Sequence, residues 1–403
     1  MDDRKKMGIY VHIPFCIRKC LYCDFLSDTA DISVIKQYIE ALKNEIRCCR
    51  LGDIDYRGQY MVDTIFFGGG TPSILDGEQI GEIMEALSDR FDISNVSEVT
   101  LECNPGTVTR EKIKSFKKFG INRLSIGLQS ANSDELKILG RIHDPDQFFE
   151  TFRLAREEGF DNINIDLMSA IPGQTLESYK KTLETVIELR PEHISAYSLI
   201  VEEETPYYEV YGEFGNALQD CGIKPPAGFD AWPPLPDEDT EREMYYMTER
   251  LLSEAGYHRY EISNYSLDGF ECRHNSSYWT GTDYIGLGVG AAGFIDGVRY
   301  SNTSDIYSYM KACMKMDDIP AEEYHALSVN ERMEEFMFLG LRMMRGISAG
   351  EFKIRFGRDI ENVYGKQLNK LKNDGLIISE GDNIRLTSRG IDVSNTVFAN
   401  FLL

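Results

Sequence analysis

Short runs rich in β-branched residues alternate with longer amphipathic stretches through the first half of the chain. GIYVHI (8–13), VDTIFFGG (62–69), SEVTLEC (97–103), NRLSIGL (122–128), DNINIDLM (161–168) and EHISAYSL (192–199) read as strands. Apolar positions at helical spacing fall between them, near 33–50, 78–90, 109–119, 145–158 and 176–189. Parallel strands need a long crossover, which a helix supplies, so this alternation implies an α/β fold with a parallel sheet. Six such units suit either a doubly wound sheet or part of a (β/α) barrel. In both, ligands bind at the carboxyl ends of the strands.

Those ends are chemically suggestive. The first strand runs into a cysteine loop and the second into Gly68, Gly69, Gly70, Thr71 and Pro72. The third leads to Glu102, Cys103, Asn104 and Pro105, the fourth to Gln129 and Ser130, and the fifth contains Asp166. One glycine triplet alone signals a turn. Five strand ends of this kind predict a polar ring around one mouth of the sheet.

Beyond residue 200 the repeat breaks, and five of the 13 prolines crowd into 225–236. The stretch near 211–237 is expected to be a surface insertion closing a first unit, 1–237. A helix near 238–255, a strand around 257–262 and the segment ECRHNSSYWTGTDYIGLGVGAAG (271–293) make up a second, 238–324. Residues 325–403 alternate helical runs with the apolar pair LIISEGDNIRLT, which predicts a small helix-and-wing domain. That part carries eleven basic and ten acidic residues, too balanced for a DNA reader. A lid or docking role suits it better.

Charge narrows the partners. With 43 basic against 66 acidic residues the net charge is −23, which opposes general binding to nucleic acid or anionic membrane. There is no apolar run of signal-peptide or membrane-span length, so the expected location is the cytoplasm. Nine cysteines, an odd number, do not form a disulfide framework in such a chain.

Three of them, Cys16, Cys20 and Cys23, stand as Cys-x3-Cys-x2-Cys. No fourth cysteine is close enough to complete a four-thiolate site, since the next is Cys48. Three thiolates can hold a 4Fe-4S cluster with one iron open to a small ligand. A zinc site completed by His12, or three unrelated buried thiols, are the other readings of the spacing. Cys48, Cys49, Cys103, Cys221 and Cys313 read as buried thiols.

YVHIPFCIRKCLYCDF, FFGGGTPS, LECNP, GLQS, Arg141 and IDLMSAIPGQT together resemble the radical S-adenosylmethionine superfamily. The likeness is nearest to the branch containing the oxygen-independent coproporphyrinogen III oxidase HemN and the heme chaperone HemW. It extends over almost the whole chain. It implies a partial (β/α)6 barrel with a HemN-type, winged-helix-like C-terminal domain. Cys16, Cys20 and Cys23 would hold a 4Fe-4S cluster whose open iron binds S-adenosylmethionine. By motif, Gly69, Gly70 and Thr71 would approach its methionine end, while Tyr10, Glu102, Gln129, Arg141 and Asp166 supply polar contacts and Tyr22 stacks on adenine. The resemblance also implies an electron donor such as a flavodoxin or ferredoxin.

Two features separate the members of that branch. The oxidase is expected to carry a further cysteine two residues after the third, where this chain has Phe25. The segment HNSSYW (274–279) resembles the HNxxYW element of the chaperone, which implies heme contact through His274. The preferred expectation is a heme chaperone that passes heme to an acceptor protein. The alternative is a radical enzyme acting on a tetrapyrrole, either the oxidase itself or a relative.

Overall fold

The structure is a computed structural model that describes residues 4–48, 56–212, 223–315 and 321–403. The expected strands form as β1 (Lys5–Ile13), β2 (Tyr60–Gly69), β3 (Glu98–Cys103), β4 (Arg123–Gln129), β5 (Ile163–Ser169) and β6 (His193–Ser198). They pair in chain order and all parallel. Helices Ile32–Cys48, Gly77–Arg90, Arg110–Lys118, Pro145–Glu157 and Leu176–Leu189 fill the crossovers. Four of them start where the sequence offers a cap: Asp76, Thr109, Asp144 and Thr175 each accept a backbone N–H of the first turn.

Period-two alternation sorts the strand side chains into two layers. Ile9, Val11, Ile13, Ile65, Phe67, Leu101, Ile126 and Ile165 join one core with Tyr38, Ile83, Phe116 and Leu183 of the surrounding helices. The other face looks into the barrel and is largely polar. Thr64, Glu98, Thr100, Arg123, Ser125, Asn164 and His193 lie on it, all buried. Burying so many polar groups is costly unless each is hydrogen-bonded, so this interior is organised for binding or chemistry.

The sequence reading missed how the sheet continues. β9 (Tyr284–Leu287) joins parallel to the free edge of β1. β10 (Ala292–Ile295), β11 (Val298–Asn302) and β12 (Ala321–Ala326) extend that edge antiparallel. At the opposite edge β8 (Asn264–Ser266) pairs with β6 and with β7 (His258–Arg259). The strand expected around 257–262 is therefore confined to two residues. Tyr260 turns its hydroxyl inward to His193 Nε2 at 2.8 Å, and Glu261 accepts from Ser263 N–H at 2.8 Å, which ends the extended run.

Residues 213–222 of the expected insertion lie outside the described residues, as do Cys49 and Cys221. The rest of that stretch is not merely superficial. Trp232 is buried edge-on against Tyr207 and Tyr211, and its Nε1 donates to Ile223 O at 3.0 Å. Leu21 and Tyr22 of the cysteine loop pack on the same cluster. Cys103, Cys272 and Cys313 are buried, whereas Cys48 is only half-buried, because it closes its helix near the surface.

A second core, built on Met333, Met337, Phe352, Tyr364, Leu368 and Phe401, organises the C-terminal part. Its helices Val329–Gly340, Ala349–Phe356 and Ile360–Asn373 pack with β13 (Ile347–Ser348), β14 (Ile377–Glu380) and β15 (Asn383–Leu386), ordered β13-β15-β14. This is the helix-and-wing arrangement. Met344 N–H donates to Tyr260 O at 2.9 Å and Arg299 pairs with Glu335 at 2.7 Å, docking it on the barrel.

Candidate functional site

Backbone hydrogen bonds hold the cysteine loop from three directions. Gly70 N–H donates to Ile13 O and Thr71 N–H to Phe15 O, both at 2.8 Å, which lays the glycine loop along the loop's start. Cys16 N–H donates to Asp28 O at 3.0 Å, closing its base. Leu21 N–H donates to Leu139 O at 3.1 Å, and Arg18 reaches Gly140 O at 2.9 Å. The glycines are needed here. A Cβ on Gly70 would stand 2.7 Å from Phe15 O, and Gly69 has φ +115° with the His12 ring 2.7 Å from where its Cβ would be.

Cys16, Cys20 and Cys23 are free, half-buried thiols lining one cleft of about 450 Å³. Tyr22, Gly69, Gly70, Thr71, Glu102, Gln129, Arg141 and Asp166 line the same cleft. A chain of contacts links two of the cysteines through its wall: Cys16 Sγ to Thr71 Oγ1 at 3.4 Å, Asn104 Nδ2 to Thr71 Oγ1 at 3.3 Å, Arg141 to Asn104 Oδ1, and Arg141 Nη1 to Cys20 Sγ at 3.8 Å. Arg141 also donates to Gly127 O at 2.8 Å. Asn104, the joint of this chain, was named from sequence only as one of the residues at the third strand end. Its position just past the third strand end, before Pro105, was the available signal.

Gln129 sits at a register shift between β4 and β5 with φ +67°, a left-handed conformation that a non-glycine residue adopts only when its surroundings hold it. Tyr197 OH donates to its Oε1 at 3.0 Å. Glu102 accepts from Gly69 N–H at 3.2 Å. Burial, and then the charge of Asp166, raise its pKa from the ordinary value to about 8, so it is largely protonated at neutral pH. Asp166 is raised too, first by burial, while Asn164, Ser195 and Ser125 hold its charged form through hydrogen bonds. Burial pushes the Cys23 thiol up to about 11. A metal that binds it must therefore displace a proton.

Tyr10 and His274 lie away from the cleft lining. Tyr10 is on the inner face of β1, where its hydroxyl meets His12 Nδ1 at 3.0 Å and its ring stacks with Phe66. It stands behind the glycine loop, where a Cβ on Gly68 would lie 2.9 Å from its ring and 3.2 Å from Glu102 Oε2. His12 is fully engaged, since its Nε2 meets Leu26 O at 2.8 Å. That leaves no nitrogen for a zinc site with the cysteines. His274, on the helix Arg273–Trp279, is completely buried beneath Phe66. Thr64 Oγ1 meets its Nδ1 at 2.8 Å and Tyr278 OH its Nε2 at 2.7 Å, so both ring nitrogens are occupied. Burial, then Arg123, lower its pKa to about 3, which keeps the imidazole neutral.

That helix forms the floor of the barrel, and Asn275 faces the cleft from it. Glu98 anchors its start by accepting Arg273 N–H and His274 N–H, each at 3.0 Å. A polar chain runs from the cleft to the same place. Asp166 accepts from Asn164 at 2.8 Å, Asn164 Oδ1 meets His193 Nδ1 at 2.6 Å, His193 Nε2 meets Tyr260 OH, and Tyr260 OH accepts Cys272 N–H at 3.3 Å. Cys272 is fully buried, its thiol directed at Glu98, which does not suit a heme contact.

The donor set fits a cluster. Three half-buried thiols lining one cleft supply the soft ligands such a cluster takes. Open parallel strands, a triple-cysteine loop and a glycine loop sharing one cleft are the arrangement of the radical S-adenosylmethionine superfamily. Residues 10–186 match the model of the Radical SAM superfamily, and 327–393 that of the HemN C-terminal domain. The heme chaperone HemW of Lactococcus lactis is 36% identical over 400 residues, covering 99% of this chain and 98% of that protein. HemW of Bacillus subtilis is 36% identical over 394 residues, and HemW of Escherichia coli 33% over 402, each covering 98% of both chains. This chain belongs to the HemW family. The solved structure of coproporphyrinogen III oxidase (HemN) from Escherichia coli shares the fold, with a TM-score of 0.82 at 22% identity, covering 100% of this chain and 91% of that one. Among the described residues no helix is long and apolar enough to cross a membrane.

Proposed function

We propose that this protein is a cytoplasmic heme chaperone carrying a 4Fe-4S cluster on Cys16, Cys20 and Cys23, with S-adenosylmethionine in the adjoining cleft. The observation that carries the reading is three free thiols lining one cleft with the glycine loop, in a chain alike over its full length to proteins named heme chaperones. When bound, the pair of cofactors supplies reductive one-electron chemistry. The chain's own residues bind and orient: Gly69 and Gly70 let the backbone come close, Arg141 and Asn104 tie the cysteine loop to the wall, and Glu102, Gln129 and Asp166 present polar groups. Tyr22 gives an aromatic face between the second and third cysteines. An external donor such as a flavodoxin or ferredoxin supplies the electron, and an acceptor protein receives the heme.

Phe25 stands 63% exposed where the oxidase is expected to have its additional cysteine, so the chaperone reading is preferred to oxidation of coproporphyrinogen III. His274 can ligate heme iron only after Tyr278 or Thr64 releases a ring nitrogen. Anaerobic hemin titration of wild type and His274→Ala tests that ligand. The expected result is a shifted Soret spectrum in the variant, and an unchanged spectrum and affinity would remove His274 from the heme site. Many turnovers of coproporphyrinogen III by the reconstituted protein would overturn the chaperone reading itself.

A further inference from the structure

A second cavity, of about 550 Å³, opens where the C-terminal part meets the lower end of the barrel. Lys5, at the start of β1, lines it, whereas the cysteine loop follows the other end of that strand. Nine residues of strand at roughly 3.3 Å each separate the two ends by about 26 Å. The cavity's size is within the roughly 300–1,000 Å³ typical of pockets for drug-sized ligands. Trp279, Phe294, Phe336, Met343 and Phe356 supply apolar walls.

Its charges are unevenly satisfied. Each acidic group on the lining already has a partner: Asp296 pairs with Lys5 at 2.7 Å, Glu335 with Arg299 at 2.7 Å and Glu351 with Arg355 at 2.9 Å, while Asp283 accepts from Tyr60 OH at 2.9 Å. Arg332 and Arg345 also line the cavity, and among the described residues neither guanidinium has a hydrogen-bond or ion-pair partner. The Trp279 indole Nε1 is likewise buried without a partner. Two guanidinium groups without protein partners beside aromatic walls suit a ligand with an apolar body and carboxylates at its edge.

We propose that this junction is the tetrapyrrole-holding site, taking a planar macrocycle against Trp279 and the phenylalanines and its propionates on Arg332 and Arg345. The inference rests on the reading that the protein holds heme, and it adds where. The cysteine loop follows the far end of β1 from this cavity, while the cleft reaches down to Asn275, one helical turn from Trp279.

Hemin titration followed at the Soret band tests the assignment on the full-length, reconstituted protein. Losing two charge-assisted hydrogen bonds should weaken hemin binding by about tenfold or more in Arg332→Ala/Arg345→Ala. Arg332→Lys/Arg345→Lys should recover part of that loss. Both arginines are exposed, so the melting temperature should stay at the wild-type value. Rising S-adenosylmethionine should leave the apparent Kd for hemin at a plateau. Equal affinity of wild type and the double alanine variant, or an apparent Kd that climbs without limit as S-adenosylmethionine is raised, would place hemin elsewhere and overturn this site while leaving the heme reading intact. Failure of the wild type to bind hemin at all would overturn both.

Discussion

Replacing Gly70 by alanine tests how the cysteine loop is seated without altering any cysteine. The added Cβ would lie 2.7 Å from Phe15 O and 3.0 Å from both Phe15 N and Phe15 C. An ordinary close C···O approach is about 3.3–3.6 Å. All three obstructing atoms are backbone, so no side-chain rotation relieves the contact. The loop itself must move, against the 2.8 Å bonds from Gly70 to Ile13 and from Thr71 to Phe15. Overpacking of this kind costs about 1–3 kcal/mol. Because Cys16 follows Phe15 directly, its thiol shifts as well. Misplacement by about 1 Å can cost on the order of 10²-fold in rate. Gly70→Ala is therefore expected to melt earlier, retain less iron after anaerobic reconstitution, and cleave S-adenosylmethionine far more slowly. Gly365→Ala is the control. It lies inside the helix Ile360–Asn373, its Cβ would meet only Glu361 Oε2 at 3.5 Å, and it should gain about 0.4–1 kcal/mol. Full iron content and wild-type cleavage in Gly70→Ala would refute the argument that glycine's close approach seats the cluster loop.

Three further outcomes are expected. Thr64→Val keeps the shape of the side chain but strips His274 Nδ1 of its partner, costing about 1–3 kcal/mol in urea unfolding, and an unchanged midpoint would show that the imidazole is satisfied another way. Arg141→Lys loses the fork that joins Gly127, Asn104 and Cys20, so calorimetry should show S-adenosylmethionine binding about tenfold weaker, with equal affinity counting against Arg141 as the organiser of that wall. The third outcome concerns pH. Burial, and then Arg141, lower the His143 pKa to about 3, whereas it titrates near 6.5 in the unfolded chain. Its contribution is thus complete above pH 6.5 and is lost as pH falls toward 3, at about 1.4 kcal/mol per pH unit. His143→Gln should flatten the stability profile between pH 6 and 4 by that slope, and a profile parallel to wild type would contradict the assignment.

The parallel barrel was legible because its outer face repeats one signal: apolar residues at alternate positions, such as Ile9, Val11 and Ile13, followed by a capped amphipathic helix. The cleft was legible for a different reason, since five strand ends each leave glycine or polar groups where a parallel sheet puts its ligands. What stayed hidden depends on distant partners. His193 and Asn164 read as ordinary strand residues until Tyr260, from beyond the repeat, completes their hydrogen bonds. β9 carries no helical crossover pattern to announce it as a seventh parallel strand, so only its pairing with β1 reveals it. The alternation that puts Ile9 and Val11 on the outer face turns Tyr10 into the barrel, where its hydroxyl meets His12. Arg332 and Arg345 gave no signal in sequence, because an unpaired arginine is recognisable only once its neighbours are known.

In the proposed function one chain unites a cluster-bound S-adenosylmethionine site with heme carriage. A single anaerobic preparation, assayed together for iron, S-adenosylmethionine cleavage, hemin binding and coproporphyrinogen III consumption, tests it most directly. The expected result is about four irons per chain, formation of 5′-deoxyadenosine under strong reductant, bound hemin, and coproporphyrinogen III left intact. One zinc per chain with no cleavage, or sustained conversion of coproporphyrinogen III without hemin binding, would contradict it.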